Sequence, residues 1–161
     1  MSLDGASRFP LYVKSTLDHH ASRLATSHGL QYFDLDGAAT VGDLLQSDEI
    51  ALAWSMGSFI PYPVDPLYTL EFDIGGKTSK DPAQFVSIDI VSLVRTIFSE
   101  HVSMPVMNYT KGVPPVTTLG TIYIVAAGVM PAQYDRNAGL RLVSVLARVQ
   151  RFDAELNVAG V

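Results

Sequence analysis

Four groups of residues have types and spacing that suggest chemistry. Gly75-Gly76-Lys77-Thr78 follows a strand-like stretch, as the end of a phosphate-cradling loop would. That loop needs its first glycine at position 71, where Glu71 stands and would repel phosphate. The helix signal Asp81-Pro82 also comes several residues too late, so these glycines read as a turn leaving a strand. Asp18-His19-His20, with His28 and His101, offers imidazoles for a metal or for proton transfer. Adjacent histidines on a helix point to different sides, and His20 and His28 lie two turns apart, so no pair is spaced to chelate. His101 falls near the expected end of a helix, where partial positive charge suits the macrodipole. Asp34-x-Asp36-Gly37 begins like a calcium loop but has Leu45 at its twelfth position, and it reads as an Asx turn. Glu71 and Asp73 share one face of a strand, as paired carboxylates of a hydrolase would. No apolar pocket is evident to raise either pKa. Catalytic, cofactor-binding and metal sites are therefore not assigned; the alternative is a small α+β enzyme or ligand-binding domain using Asp18, His19 or His20 in a cleft.

The elements that must carry these residues follow from periodicity. Leu17, Ala21, Leu24 and Ala25 mark one helical face over 12–28, with Gly29 placed to end the helix. Residues 30–46 read as loop, with at most a helical turn over 41–46. Ile50, Leu52 and Trp54 alternate with small residues as a strand. Gly57 to Pro66 contains Pro61, Pro63 and Pro66 and reads as a stiff, exposed connection. In 67–74, Tyr68, Leu70, Phe72 and Ile74 take one face and Thr69, Glu71 and Asp73 the other, the pattern of a half-solvated antiparallel strand. Asp81, Pro82 and Gln84 can cap a helix that carries Phe85, Ile88, Val91, Val94 and Phe98 and ends near His101. A short strand over 106–109, a strand over 119–129 and a last strand over 140–152 complete the chain. The β-branched Val143, Val145 and Val149 favour strand over helix in the last of these. The order is α-β-β-α-β-β, with room for one extra short strand. The expected class is α+β, a mainly antiparallel sheet packed by two principal helices.

Composition narrows the function. At 161 residues the chain suits a single domain, with 1–10 as an N-terminal extension, 11–152 as the core and 153–161 as a tail. Hydrophobic residues make up 48% and charged residues 17%, enough for a packed core and low enough to suit surface hidden in an oligomer. Net charge is −5 with scattered Lys and Arg, which disfavours a nucleic-acid stripe. The absence of cysteine removes thiol catalysis and thiolate metal sites. No signal peptide and no span-length apolar run is evident, so the expectation is a protein that stays in, or is delivered from, the cytosol, with no membrane. Phe59, Tyr62, Tyr109 and Lys111 sit in the proline-stiffened segments. They are the candidate protein contacts, because aromatics on stiff loops bring area at little ordering cost; tucking back as satellite core is the equal alternative.

From about residue 11 to 152 the chain resembles the tail terminator (tail-completion) proteins of tailed bacteriophages. The matching features are the N-terminal helix, a Trp-bearing strand over 50–55 and the strand LYTLEFDI. The capped helix DPAQFVSIDIVSLVRTIF and the closing strands LGTIYIVAAGV and LRLVSVLARVQRF complete the match. The resemblance implies a homo-oligomeric ring, usually a hexamer, at the head-proximal end of the tail in the virion, assembled in the host cytoplasm. Its implied partners are the tail tube protein, a sheath protein and a head-completion or neck protein. DNA would pass through without sequence-specific binding, and no cofactor is implied. The loops 58–66 and 110–118 would reach the axial partners. A head–tail connector or minor tail protein of similar fold is the alternative within virion proteins.

Overall fold

Alternation makes residues 67–77 the spine of the molecule. Within β3 (Leu67–Lys77), Tyr68, Leu70, Phe72 and Ile74 are buried while Glu71 between them is exposed. The computed structural model describes residues 8–36, 51–77, 85–129 and 141–152. On either side of β3 run β2 (Ala51–Pro61) and β6 (Arg141–Arg151), both antiparallel to it. Beyond β6 lie β5 (Gly120–Val129) and β4 (Ser103–Val106); beyond β2 lies β1 (Gln31–Asp34), paired parallel. The six-stranded sheet has the order β1-β2-β3-β6-β5-β4, and α1 (Phe9–Ser27) and α2 (Phe85–Ile97) join the sheet's inner face in one hydrophobic core. This is the expected α+β architecture. Two short strands, β1 and β4, are added to the order rather than one.

Local chemistry explains the ends of α1. Leu17, Ala21, Leu24 and Ala25 are buried as the periodicity requires, but the helix also takes in Phe9, Tyr12, Val13 and Thr16. It therefore starts three residues before the expected position, because Phe9 is enclosed by Phe59, Tyr68 and Gly120. At the other end Gly29 adopts φ +64; its N–H reaches Thr26 O at 3.3 Å, and Leu30 N–H reaches Ala25 O at 2.9 Å. These two bonds satisfy terminal carbonyls in the Schellman pattern.

Three expectations are corrected. Residues 57–61 are not a connection: β2 continues to Pro61 through an irregularity between Met56 and Phe59. Pro61 is tolerated there because, among the described residues, β1 pairs only with residues 51–54 of β2 and leaves this stretch at the sheet's edge. Gly75 and Gly76 are not a turn but strand residues, opposite Leu142 and Arg141 on β6, and Lys77 pairs with Ala51. Gly76 serves packing, since a Cβ there would lie 2.6 Å from the Ile90 side chain of α2. Finally, α2 ends at Ile97, and His101 follows in a left-handed conformation at φ 70. The cap residues Asp81, Pro82 and Gln84, the helical turn over 41–46 and Ile50 lie outside the described residues.

Gly76→Ala is expected to cost roughly 1–3 kcal/mol by overpacking, seen as a lower urea midpoint with unchanged slope. In a double-mutant cycle with Ile90→Ala, the two changes should cost less together than the sum of the singles.

Candidate functional site

The polar side of α1 is tied to the sheet by a chain of named bonds. Trp54 is enclosed in the core, so its indole N–H needs an acceptor, and it donates to the Tyr32 hydroxyl at 2.6 Å. Tyr32 in turn donates to Asp18 Oδ1. Burial first, and the bond to Asp18 second, push the Tyr32 phenol far above its ordinary value, so it keeps its proton as donor. Lys14 Nζ lies 3.9 Å from the centre of the Trp54 ring and pairs with Asp34 at 2.8 Å and Asp36 at 3.0 Å. Asp34 Oδ1 also accepts the Asp36 N–H at 3.0 Å, and Asp36 Oδ2 the Met56 N–H at 2.5 Å. The Asx turn is as expected, and its carboxylates face a lysine. Among the described residues no group of three or more His, Asp or Glu side chains is placed to hold a metal ion.

The histidines divide between different tasks. The His19 ring stacks on Tyr109 at 3.9 Å, and its pKa is lowered by burial and by Arg23, against Asp18. His20 has a lowered pKa through burial, His19 and Arg23, and its Nε2 is enclosed without a hydrogen-bond partner among the described residues. His28 Nδ1 sits 3.1 Å from Leu24 O at the end of α1. His101 Nδ1 sits 2.5 Å from the Tyr123 hydroxyl, four residues beyond α2. A polar cleft of about 290 Å³ is lined by Ser15, Asp18, His19, Ser22, Tyr109 and Thr110. Inside it Asp18 already accepts from Tyr32, and His19 is covered by Tyr109. The loop bearing Tyr109 is anchored from α1, since Met107 N–H donates to Thr16 Oγ1 at 3.0 Å and Tyr109 N–H to Ser15 Oγ at 3.3 Å.

The strand register brings two proline-bearing loops to one end of the sheet. Pro61 pairs with Tyr68, Leu67 with Gln150, Gly120 with Arg151, and Val106 with Gly120. The 62–66 turn and the 107–119 loop therefore leave the sheet side by side, next to the start of α1. Ile60, Val64, Leu67, Leu11 and Val113 are exposed here, with Tyr62 at 62% and Val116 at 92%. Of the four contact candidates, Tyr62 and Lys111 point to solvent, Tyr109 is half-buried on His19, and Phe59 turns inward to stack on Tyr68 at 4.7 Å. Arg151, 9% exposed, holds the 62–66 turn through Asp65 at 2.8 and 2.9 Å and bonds the Tyr68 hydroxyl at 2.8 Å. The Tyr68 hydroxyl and Arg151 together hold the Asp65 carboxyl below its usual range. Sequence reasoning missed Lys14, Tyr32 and Arg151. The readable signals were an indole that needs an acceptor and an arginine on the inward parity of β6.

On the face opposite the helices, Glu71 is exposed and Asp73 half-buried. Contrary to expectation, the Asp73 pKa is raised, chiefly by burial and further by Glu71, against a hydrogen bond with Ser144. The chain matches no protein-family model and no curated protein.

A carboxylate whose pKa is higher folded than unfolded weakens the fold progressively as pH rises through that folded value. Asp73→Asn, which keeps an acceptor for Ser144, should therefore raise the thermal midpoint at pH 7. The gain should vanish near pH 3, where both forms are neutral; melting curves at the two pH values check it.

Proposed function

We propose that this chain is a structural subunit of a phage virion, a tail terminator that forms a ring on the tail tube, ends its polymerisation and joins tail to head. The observation that carries the reading is the apolar end of the sheet, where Ile60, Tyr62, Val64 and Val116 stand in solvent on proline-bearing segments. Soluble chains rarely leave such side chains clustered unless another surface covers them. Prolines restrict the backbone beforehand, so little further order is lost when a partner binds. Arg151 adds to this by fixing the 62–66 turn through two hydrogen bonds to Asp65. The elements on which the resemblance rests, α1, β2, β3, α2, β5 and β6, are all present in the fold. The α1 cleft favours the enzyme reading less, because its acid and its half-buried imidazole are already engaged with Tyr32 and Tyr109.

In this reading the apolar end meets the axial partners, tube protein on one side or neck protein on the other. The acidic net charge lets DNA pass without adhering. A connector or minor tail protein would use the same surface, and the assay below separates them. Purified protein should run as a closed oligomer by light scattering and appear as rings by electron microscopy. Added to polymerising tube protein, it should shorten the tubes and cap one end. Tyr62→Asp with Val64→Asp should abolish capping while leaving the fold intact by circular dichroism. A strict monomer at high concentration with no effect on tube length would overturn the proposal.

A further inference from the structure

Among the described residues no helix packs on the outer face of the sheet around Glu71, Leu146 and Tyr123, and the composition of this region varies along the strands. Toward the apolar end Tyr123 and Leu146 are exposed, and Ala126 next to Leu146 is exposed and small, so the surface is flat. One strand further, Glu71 stands opposite Leu146 and Asp73 opposite Ser144. Neither carboxylate has an ion pair among the described residues. Arg148, a cation on this face, lies in the Tyr123 row, two residues along β6 from the Glu71 row.

The 110–118 loop has the opposite character. Val113 and Val116 are 62% and 92% exposed on either side of Pro114 and Pro115, and Lys111 is exposed without an ion pair among the described residues. A proline pair favours the extended polyproline conformation, which needs little ordering to lie on an aromatic surface.

We infer that a second copy of this chain covers the outer face: the 110–118 loop of one copy lies across β5 and β6 of the next, its valines on Tyr123 and Leu146 and its Lys111 against Glu71 and Asp73. Charge complementarity selects this occupant, since the loop brings a cation to a surface that carries two carboxylates with no ion pair among the described residues. Relief of the repulsion between Glu71 and Asp73 adds to the attraction. The dimensions agree. Five residues from Lys111 to Val116 span at most about 17 Å, and β3 to β5 is two strand spacings, roughly 10 Å. Donor loop and acceptor face are different surfaces of each copy, so the contact is heterologous and closes into a ring when the rotation permits. The inference rests on the ring reading above for its expectation of assembly, and it moves the 110–118 loop from an axial to a lateral role.

The test is a charge exchange on full-length protein, followed by light scattering and sedimentation. Lys111→Glu and Glu71→Lys should each weaken assembly by roughly tenfold or more, because each places like charges together. The double variant should recover the wild-type mass, and so should an equimolar mixture of the two singles, because both kinds of mixed contact pair opposite charges. Val116→Asp should weaken assembly with no rescue by the charge exchange. Single variants that assemble like wild type, or a double variant that stays dissociated although folded, overturn this contact and leave the ring reading standing. Charge exchange that behaves as stated, in particles that do not cap tail tubes, supports the contact and overturns the tail reading.

Discussion

The pairing of β3 with β6 joins everything else. Residues 67–76 of β3 lie in continuous register with residues 150–141 of β6, so segments far apart in the chain share one ladder. On one side this ladder carries the β2–β3 hairpin with β1 at its edge; on the other it carries β5 and β4. The inward parity places Tyr68, Leu70, Phe72 and Ile74 beside Val149, Ala147, Val145 and Val143, all buried. A slip of one residue would turn every one of these side chains to the opposite face. Arg151 lies on the same parity just past the ladder's end, and that is why its guanidinium reaches Asp65 and Tyr68.

From this ladder follows a division of labour between the two faces. The inner face is closed by α1 and α2, with Gly76 letting α2 approach the strands. On the outer face, Ala51, Ala53 and Leu142 form a small buried cluster with Phe33 and Leu35 beside them. The rest, around Glu71, Leu146 and Tyr123, stays open. A domain with an exposed region on its outer sheet face and a stiff apolar end suits a role in which function lies in what the surfaces meet. The polar residues of α1 have mostly been recruited to hold α1, β1 and the Tyr109 loop together. Lys14, Asp18 and Thr16 bond across elements and leave little chemistry unspent.

What was readable in the sequence was whatever depends on period. The α1 face, the alternation of β3 and the β-branched run of β6 each needed only local spacing, and each appears as read. β1 was not readable because Gln31–Asp34 is short and has no alternating burial; it exists by pairing with residues 51–54. The length of β2 was obscured by Pro61, whose meaning depends on lying at an edge, a property of neighbours rather than of the residue. Phe59 shows the same limit: its place beside the prolines left solvent and satellite core equally open, and only the nearness of Phe9 and Tyr68 draws it inward.

The motifs fared by the same rule. Mismatch at Glu71 and Leu45, and the adjacency of His19 and His20, are facts of spacing, and they argued by themselves against phosphate, calcium and chelation. Where the remaining polar groups went required tertiary structure, since Tyr32 to Trp54, Ser15 to Tyr109 and Asp65 to Arg151 are pairings across the fold. The sequence alone determined the α+β class, the inward and outward parities and the stiff proline-bearing segments, because those follow from local geometry. Only the tertiary structure decided that both loops emerge at one end, that Asp73 is half-buried beside Glu71, and that Glu71, Leu146 and Tyr123 stand exposed together on the outer face. Each of those depends on which strands lie next to one another, and no local pattern encodes strand order.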